Sequence, residues 1–122
     1  QVLTSQGASA PPIWAAAAGG SETHLTLASN VIDVQAADYF TRNISSNTTF
    51  SFTNAPAAPN VASFIVKVAS SGSFTVAWPA AVRWPGGADP VQTASGTDIY
   101  GFFTVDAGTT YYGVRLSANA LP

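Results

Sequence analysis

From Ser21 onward, apolar residues return at every second position over most of the chain, and that period leaves few folds open. A period of two sends successive side chains to opposite faces of an extended strand, whereas an amphipathic helix repeats every 3.6 residues. Leu25 and Leu27 share one face, with His24 and Thr26 on the other. Phe50 and Phe52 alternate with Thr49, Ser51 and Thr53, and Phe64, Val66 and Val68 alternate with Ser63, Ile65 and Lys67. Phe74, Val76 and Trp78 follow, then Ile99, Phe103 and Val105, then Tyr112, Val114 and Leu116. β-Branched and aromatic side chains fill these runs, as a pleated surface favours. No helical periodicity of useful length interrupts them.

Turn chemistry separates the runs. Ser70-Ser71-Gly72 and Asp106-Ala107-Gly108 each read as a tight hairpin. Asn54 to Asn60 reads as a crossing loop, and Pro85-Gly86-Gly87-Ala88-Asp89-Pro90 is the strongest break in the chain. Asp38 to Ile44 is ambiguous, with Tyr39 and Phe40 on opposite faces and room for a bulge. Seven or eight short strands at this spacing predict an all-β fold, an antiparallel β-sandwich of jelly-roll type over residues 21–122. A closed up-and-down barrel is the alternative. Trp78 closes an alternating run and is expected in the core; Trp84, between Arg83 and Pro85, is expected to be partly exposed.

Ahead of the strands, Gln1 to Gly20 carries two prolines, three glycines, six alanines and no charge, which predicts an extended connector. The whole chain has 122 residues, enough for one domain, and it opens on Gln1, as a stretch from inside a longer polypeptide or one trimmed of its initiator methionine would. Only 8% of residues are charged, against about 25% in ordinary soluble domains. A surface so poor in charge stays soluble through Ser, Thr and Asn or is covered in an assembly. Arg42, Lys67, Arg83 and Arg115 are spread singly, without the cluster that phosphate neutralisation needs, so no nucleic-acid partner is expected. No apolar run approaches the ~20 residues of a spanning helix, so no membrane insertion is expected.

Chemistry is sparsely encoded. Cysteine is absent, which excludes disulfides, thiol nucleophiles and cysteine metal sites. The single histidine, His24, shares a strand face with Glu22, an arrangement better read as solvent-facing than as an acid–base pair. No serine sits in a nucleophile elbow, and no two of Glu22, Asp33, Asp38, Asp89, Asp98 and Asp106 stand out as a glycosidase pair. A calcium site built on Asp89 and loop carbonyls is conceivable but carries no recognised spacing. These readings predict no catalytic residues, no cofactor and no metal. Asn43-Ile44-Ser45 and Asn47-Thr48-Thr49 are sequons of the kind a Ser/Thr/Asn-rich chain produces by chance. Trp84, Tyr100, Tyr111 and Tyr112 could stack on the apolar faces of a glycan, or could fill the core or an interface between copies. The interface is preferred, since an aromatic content of 11% demands no ligand.

The first residues add a resemblance. Gln1-Val2-Leu3-Thr4-Ser5-Gln6-Gly7-Ala8-Ser9-Ala10-Pro11-Pro12-Ile13-Trp14 resembles a connector common in bacteriophage tail-fibre and other virion appendage proteins. Asp38-Tyr39-Phe40, Asn47 to Phe52, Trp78-Pro79, Val82 to Gly87, Asp98-Ile99-Tyr100 and Gly108 to Gly113 are similar to a domain near the C-terminus of phage structural proteins. The resemblance implies a place on the virion, as a fibre or capsid-surface module that works by assembly. It implies other virion proteins as partners, a homo-oligomer with three copies favoured, and docking through Val2, Leu3, Pro11, Pro12, Ile13 and Trp14. Recognition of a host-surface glycan through the Trp84 to Pro90 loop is the second expectation, and a polysaccharide-degrading domain the third. No catalytic residue comes with the resemblance.

Overall fold

The computed structural model describes residues 22–121, together with the backbone of two short strands nearer the start. Those strands, β1 (Val2–Thr4) and β2 (Ile13–Ala15), pair antiparallel with Leu3 opposite Trp14. Pro11, Pro12 and the side chains of Val2, Leu3, Ile13 and Trp14, expected to dock the connector, lie outside the described residues.

The remainder is all-β, with one short 3-10 turn at Pro85–Gly87 where Gly86 and Gly87 take φ of +72° and +77°. The strands are β3 (His24–Thr26), β4 (Val31–Asp33), β5 (Tyr39–Ile44), β6 (Thr48–Thr49), β7 (Ser51–Thr53), β8 (Ala62–Ser70), β9 (Val76–Ala77), β10 (Val82–Arg83), β11 (Thr97–Thr104) and β12 (Tyr111–Ser117). One six-stranded sheet runs in the order β10-β12-β11-β8-β5-β3, and the pairs β4-β7 and β6-β9 form separate ladders.

The expected antiparallel pairing holds only for β11, which runs against both β8 and β12. All other pairings in the described domain are parallel, so the sheet is mixed. The connections explain this. Between β3 and β5 the chain lays down β4, and between β5 and β8 it lays down β6 and β7. Each excursion carries the chain across to the end of the sheet where the previous strand began, and the next strand must then enter parallel to the last. The Ser70-Ser71-Gly72 segment is a crossing and not the expected hairpin, because β9 pairs with β6 instead of returning along β8. Asp106-Ala107-Gly108 does close a hairpin: the Asp106 carboxylate accepts from Thr104 Oγ1 (3.0 Å) and the Thr110 amide (2.9 Å), while Gly108 takes φ +83°. The irregularity in the sheet falls between Ile99 and Tyr100 and not in the Asp38 to Ile44 segment.

The core lies between the inner face of the six-stranded sheet and the small ladders. Phe64, Val66 and Val68 of β8 are buried as their alternation requires. Phe52 of β7 reaches in among them, with its ring centroid 5.1 Å from Phe64, 5.1 Å from Phe102 and 4.8 Å from Tyr111. Trp78, buried as expected, stacks on Phe50 at 4.7 Å and meets Tyr100 at 4.8 Å. Each large ring here removes ~150–250 Å² from water, which makes this cluster the main stabilising feature of the domain.

Candidate functional site

On β11 the even-numbered residues Asp98, Tyr100, Phe102 and Thr104 face the core and are buried. Ile99, Gly101 and Phe103 therefore point away, on the outer face of the same sheet. β12 divides the same way: Tyr111 and Gly113 face in, whereas Tyr112, Val114 and Leu116 face out. Phe103, Tyr112, Val114 and Leu116 remain 44%, 48%, 43% and 54% exposed. The register brings them together, with Phe103 opposite Tyr112 and Gly101 opposite Val114. Phe103 and Tyr112 stack at 5.2 Å with planes 26° apart.

Gly101 shapes this surface. Lacking a side chain, it opens a groove of about 300 Å³ whose walls include Ile65, Phe103, Tyr112 and Val114. Leu116 leans over the gap, its Cδ1 only 3.2 Å from the place a Cβ on residue 101 would occupy. The rim is polar. Ser63 and Lys67 of β8 are exposed on one side, and Arg83 of β10, opposite Tyr112, stands on the other. An apolar centre with a polar rim is the anatomy of a protein contact surface.

A buried polar cluster fixes the strands that carry this face. Asp98 accepts from the backbone amides of Asn119 (2.8 Å) and Thr93 (2.9 Å), and Arg115 Nη1 lies 3.5 Å from its carboxylate. Burial pushes the Asp98 pKa up, but the donors from Asn119 and Thr93 and the Arg115 charge outweigh it and hold the carboxyl below its usual range. Tyr100 donates to Gln92 Oε1 at 2.7 Å, and Gln92 Nε2 donates to the Val68 carbonyl at 3.2 Å. Burial, then the Asp98 charge, raises the Tyr100 phenol above its ordinary range. Together these bonds tie the 92–98 segment and the chain after β12 to the end of β8.

Of the four aromatic residues that could have formed a glycan platform, three fill the core instead. Trp84, Tyr100 and Tyr111 are 7%, 0% and 4% exposed and belong to the aromatic core. Trp84 is held edge-on by Tyr100 (6.1 Å) and Phe102 (5.5 Å), which corrects its expected partial exposure. The reason is the parallel placement of β10 beside β12, which carries the Trp84 ring over the edge of the sheet onto Phe102. Only Tyr112 stands on the surface. His24 and Glu22 also part company: His24 Nε2 lies 2.8 Å from Thr41 Oγ1, while Glu22 accepts from Tyr39 Oη at 2.6 Å. Among the described residues, no three His, Asp or Glu side chains converge as metal ligands. Compared with known proteins, the chain matches no family model, no curated protein and no solved structure.

Proposed function

We propose that this chain is a structural component of a bacteriophage virion, a fibre or capsid-surface appendage module that works by assembly. The observation that carries the reading is the outer sheet face, where two aromatic and two aliphatic side chains lie half-exposed side by side. Leaving such a strip in water is unfavourable by ~25 cal/mol per Å², and covering it with another protein recovers that energy. The resemblance of the Gln1 to Trp14 segment to virion connectors supplies the setting: other virion proteins as partners, several copies of this chain (three favoured), and a place on the virion surface or tail. The small ladders lying over the inner face of the large sheet support a two-layered sandwich of jelly-roll type as the architecture.

Light scattering coupled to size exclusion tests the assembly reading. The purified chain should elute as a multimer at micromolar concentration. A mass equal to one chain across the accessible concentration range would overturn it.

Recognition of a host-surface glycan is a second reading, favoured by one observation. The stacked Phe103 and Tyr112 rings beside the Gly101 groove offer the flat apolar surface that a sugar face needs. Trp84, Tyr100 and Tyr111 drop out of that reading. A glycan array probed with the chain and with Tyr112→Ala separates the two, since glycan signal lost in the variant supports recognition and a blank array removes it.

A further inference from the structure

The described part of the domain begins on the outer face of the sheet, beside the Gly101 groove. Glu22 is held there by the Tyr39 hydroxyl, which donates to its carboxylate at 2.6 Å, and the Thr23 amide donates to Asp38 at 3.0 Å. Register puts Tyr39, Ile65, Gly101 and Val114 in one row across β5, β8, β11 and β12. Tyr39 and Gly101 are two strands apart, about 10 Å at ordinary strand spacing. Ser63 and Ile65 wall the hollow that holds Glu22, and the same two residues wall the groove. The chain ahead of Glu22 therefore starts next to the groove.

That chain is an apolar hairpin on a short lead. β1 and β2 contain Val2, Leu3, Ile13 and Trp14, and Gln1 to Gly20 carries no charged side chain. Two paired strands of three residues each gain too little to stand alone in water, so such a hairpin needs an apolar surface beneath it. Ala16 to Ser21, the stretch between β2 and Glu22, reaches ~20 Å when extended, well beyond the distance to Gly101. Its Ala, Gly and Ser side chains put no bulk in the way of doubling back.

Resting on the assembly reading above, we propose that the β1–β2 hairpin of each chain docks in that chain's own Gly101 groove and masks the assembly face until a neighbouring copy displaces it. The match is apolar to apolar: Ile65, Phe103, Tyr112 and Val114 wall the groove, and no charged side chain lines it to favour an ionic occupant. A lead this short holds the hairpin at an effective concentration in the millimolar range, so at micromolar concentration a chain's own hairpin has the advantage over a second copy. A neighbour wins as copies accumulate, because its contact also covers Leu116 and the rim. Masking thus keeps the face from associating while the chain is dilute.

Both parts are tested in the full chain. With no native cysteine, Lys67→Cys places a single spin label on the outer face, at an exposed position clear of the groove walls. NMR of isotope-labelled, spin-labelled chain diluted in an excess of unlabelled wild type should show the amides of Val2 to Thr4 and Ile13 to Ala15 broadened. No broadening, or broadening only when isotope and spin label sit on different chains, would overturn the docking and leave the assembly reading in place. Sedimentation of Trp14→Ala should show assembly at about threefold to tenfold lower concentration than the wild type, since masked chains are withdrawn from the competent pool. Circular dichroism of the variant confirms the fold. Unchanged or weakened assembly would overturn the masking. Wild type and variant that both stay monomeric would overturn the assembly reading and the masking with it, whatever the broadening shows.

Discussion

Arg115 Nη1 lies 3.5 Å from a carboxylate oxygen of Asp98, and the Asp98 side chain is fully buried. The pair couples β12 to β11 from the inner side, behind the exposed strip. The same guanidinium donates to the Val91 carbonyl at 2.6 Å, so one cation anchors both the sheet and the loop that precedes it.

Asp98→Asn should therefore lower stability at neutral pH by about 2–4 kcal/mol, since it removes the charge that answers Arg115 and replaces an acceptor by an amide donor facing two N–H groups. The pH dependence has a definite sign. The folded state holds the Asp98 pKa below its unfolded value of about 3.9, so its contribution is fully present above that value and is lost as pH falls through the lower folded one. Urea titrations between pH 7 and pH 2 should show the deficit of the variant shrinking only below about pH 4. A deficit that stays constant to pH 2 would mean that the carboxylate charge contributes nothing.

Tyr100 gives the mirror case. Its phenol is raised in the folded state, by burial first and by the Asp98 charge second. A raised pKa means stability that is complete below the unfolded value of about 10 and is lost as pH climbs toward the folded one. Thermal melts should fall steeply above about pH 10 in the wild type and less steeply in Tyr100→Phe. At pH 7 the variant should be about 1–2 kcal/mol less stable, because Gln92 Oε1 loses its donor inside the core.

How far the fold was legible in the sequence depends on the strand. β8 is fully readable, since Phe64, Val66 and Val68 alternate with exposed or partly covered neighbours. β11 and β12 are apolar on both faces, and period two cannot say which parity goes inside. Ile99, Phe103 and Val105, like Tyr112, Val114 and Leu116, form the more conspicuous apolar series, yet these are the residues left outside. The inner series of β11 is Asp98, Tyr100, Phe102 and Thr104, half of it polar, and it is buried because Asp98 finds Asn119, Thr93 and Arg115 as partners. Thr93 and Asn119 lie in the irregular segments before β11 and after β12 and Arg115 lies on β12 itself, so no local pattern announces the cluster. The adjacent pairs Phe102-Phe103 and Tyr111-Tyr112 were the available signal of a two-sided apolar sheet. Parallel pairing was invisible for a different reason: alternation reports faces, not strand direction.

Trp84 and Tyr112 should separate core from surface. Trp84→Ala empties a site bounded by Tyr100, Phe102 and Trp78 and should cost about 3–5 kcal/mol, enough to unfold a marginal domain. Tyr112→Ala removes a half-exposed ring and should change monomer stability by less than about 1 kcal/mol. Urea unfolding of dilute samples reads the first effect, and light scattering reads the loss of assembly in the second. A Tyr112 variant that unfolds like the Trp84 variant would place Tyr112 in the core.

The two glycines of neighbouring strands make the sharpest contrast. A Cβ on Gly113 would lie 2.9 Å from Phe102 Cε1 and 2.9 Å from Val82 Cγ1, both in the packed interior. Neither neighbour can retreat without displacing the aromatic cluster, so Gly113→Ala should destabilise the domain by about 1–3 kcal/mol. A Cβ on Gly101 would meet first the Leu116 side chain, Cδ1 at 3.2 Å and Cγ at 3.5 Å, an exposed group that can swing toward solvent. Gly101→Ala should leave monomer stability within about 0.5 kcal/mol of the wild type, because strand glycine is itself unfavourable and offsets the shift of Leu116. The same methyl group narrows the groove between Ile65, Phe103 and Val114, so the variant should remain folded and assemble less tightly. Chemical unfolding and sedimentation on the two alanine variants check both statements. Equal loss of stability in the two would mean that the outer face is packed as tightly as the inner one.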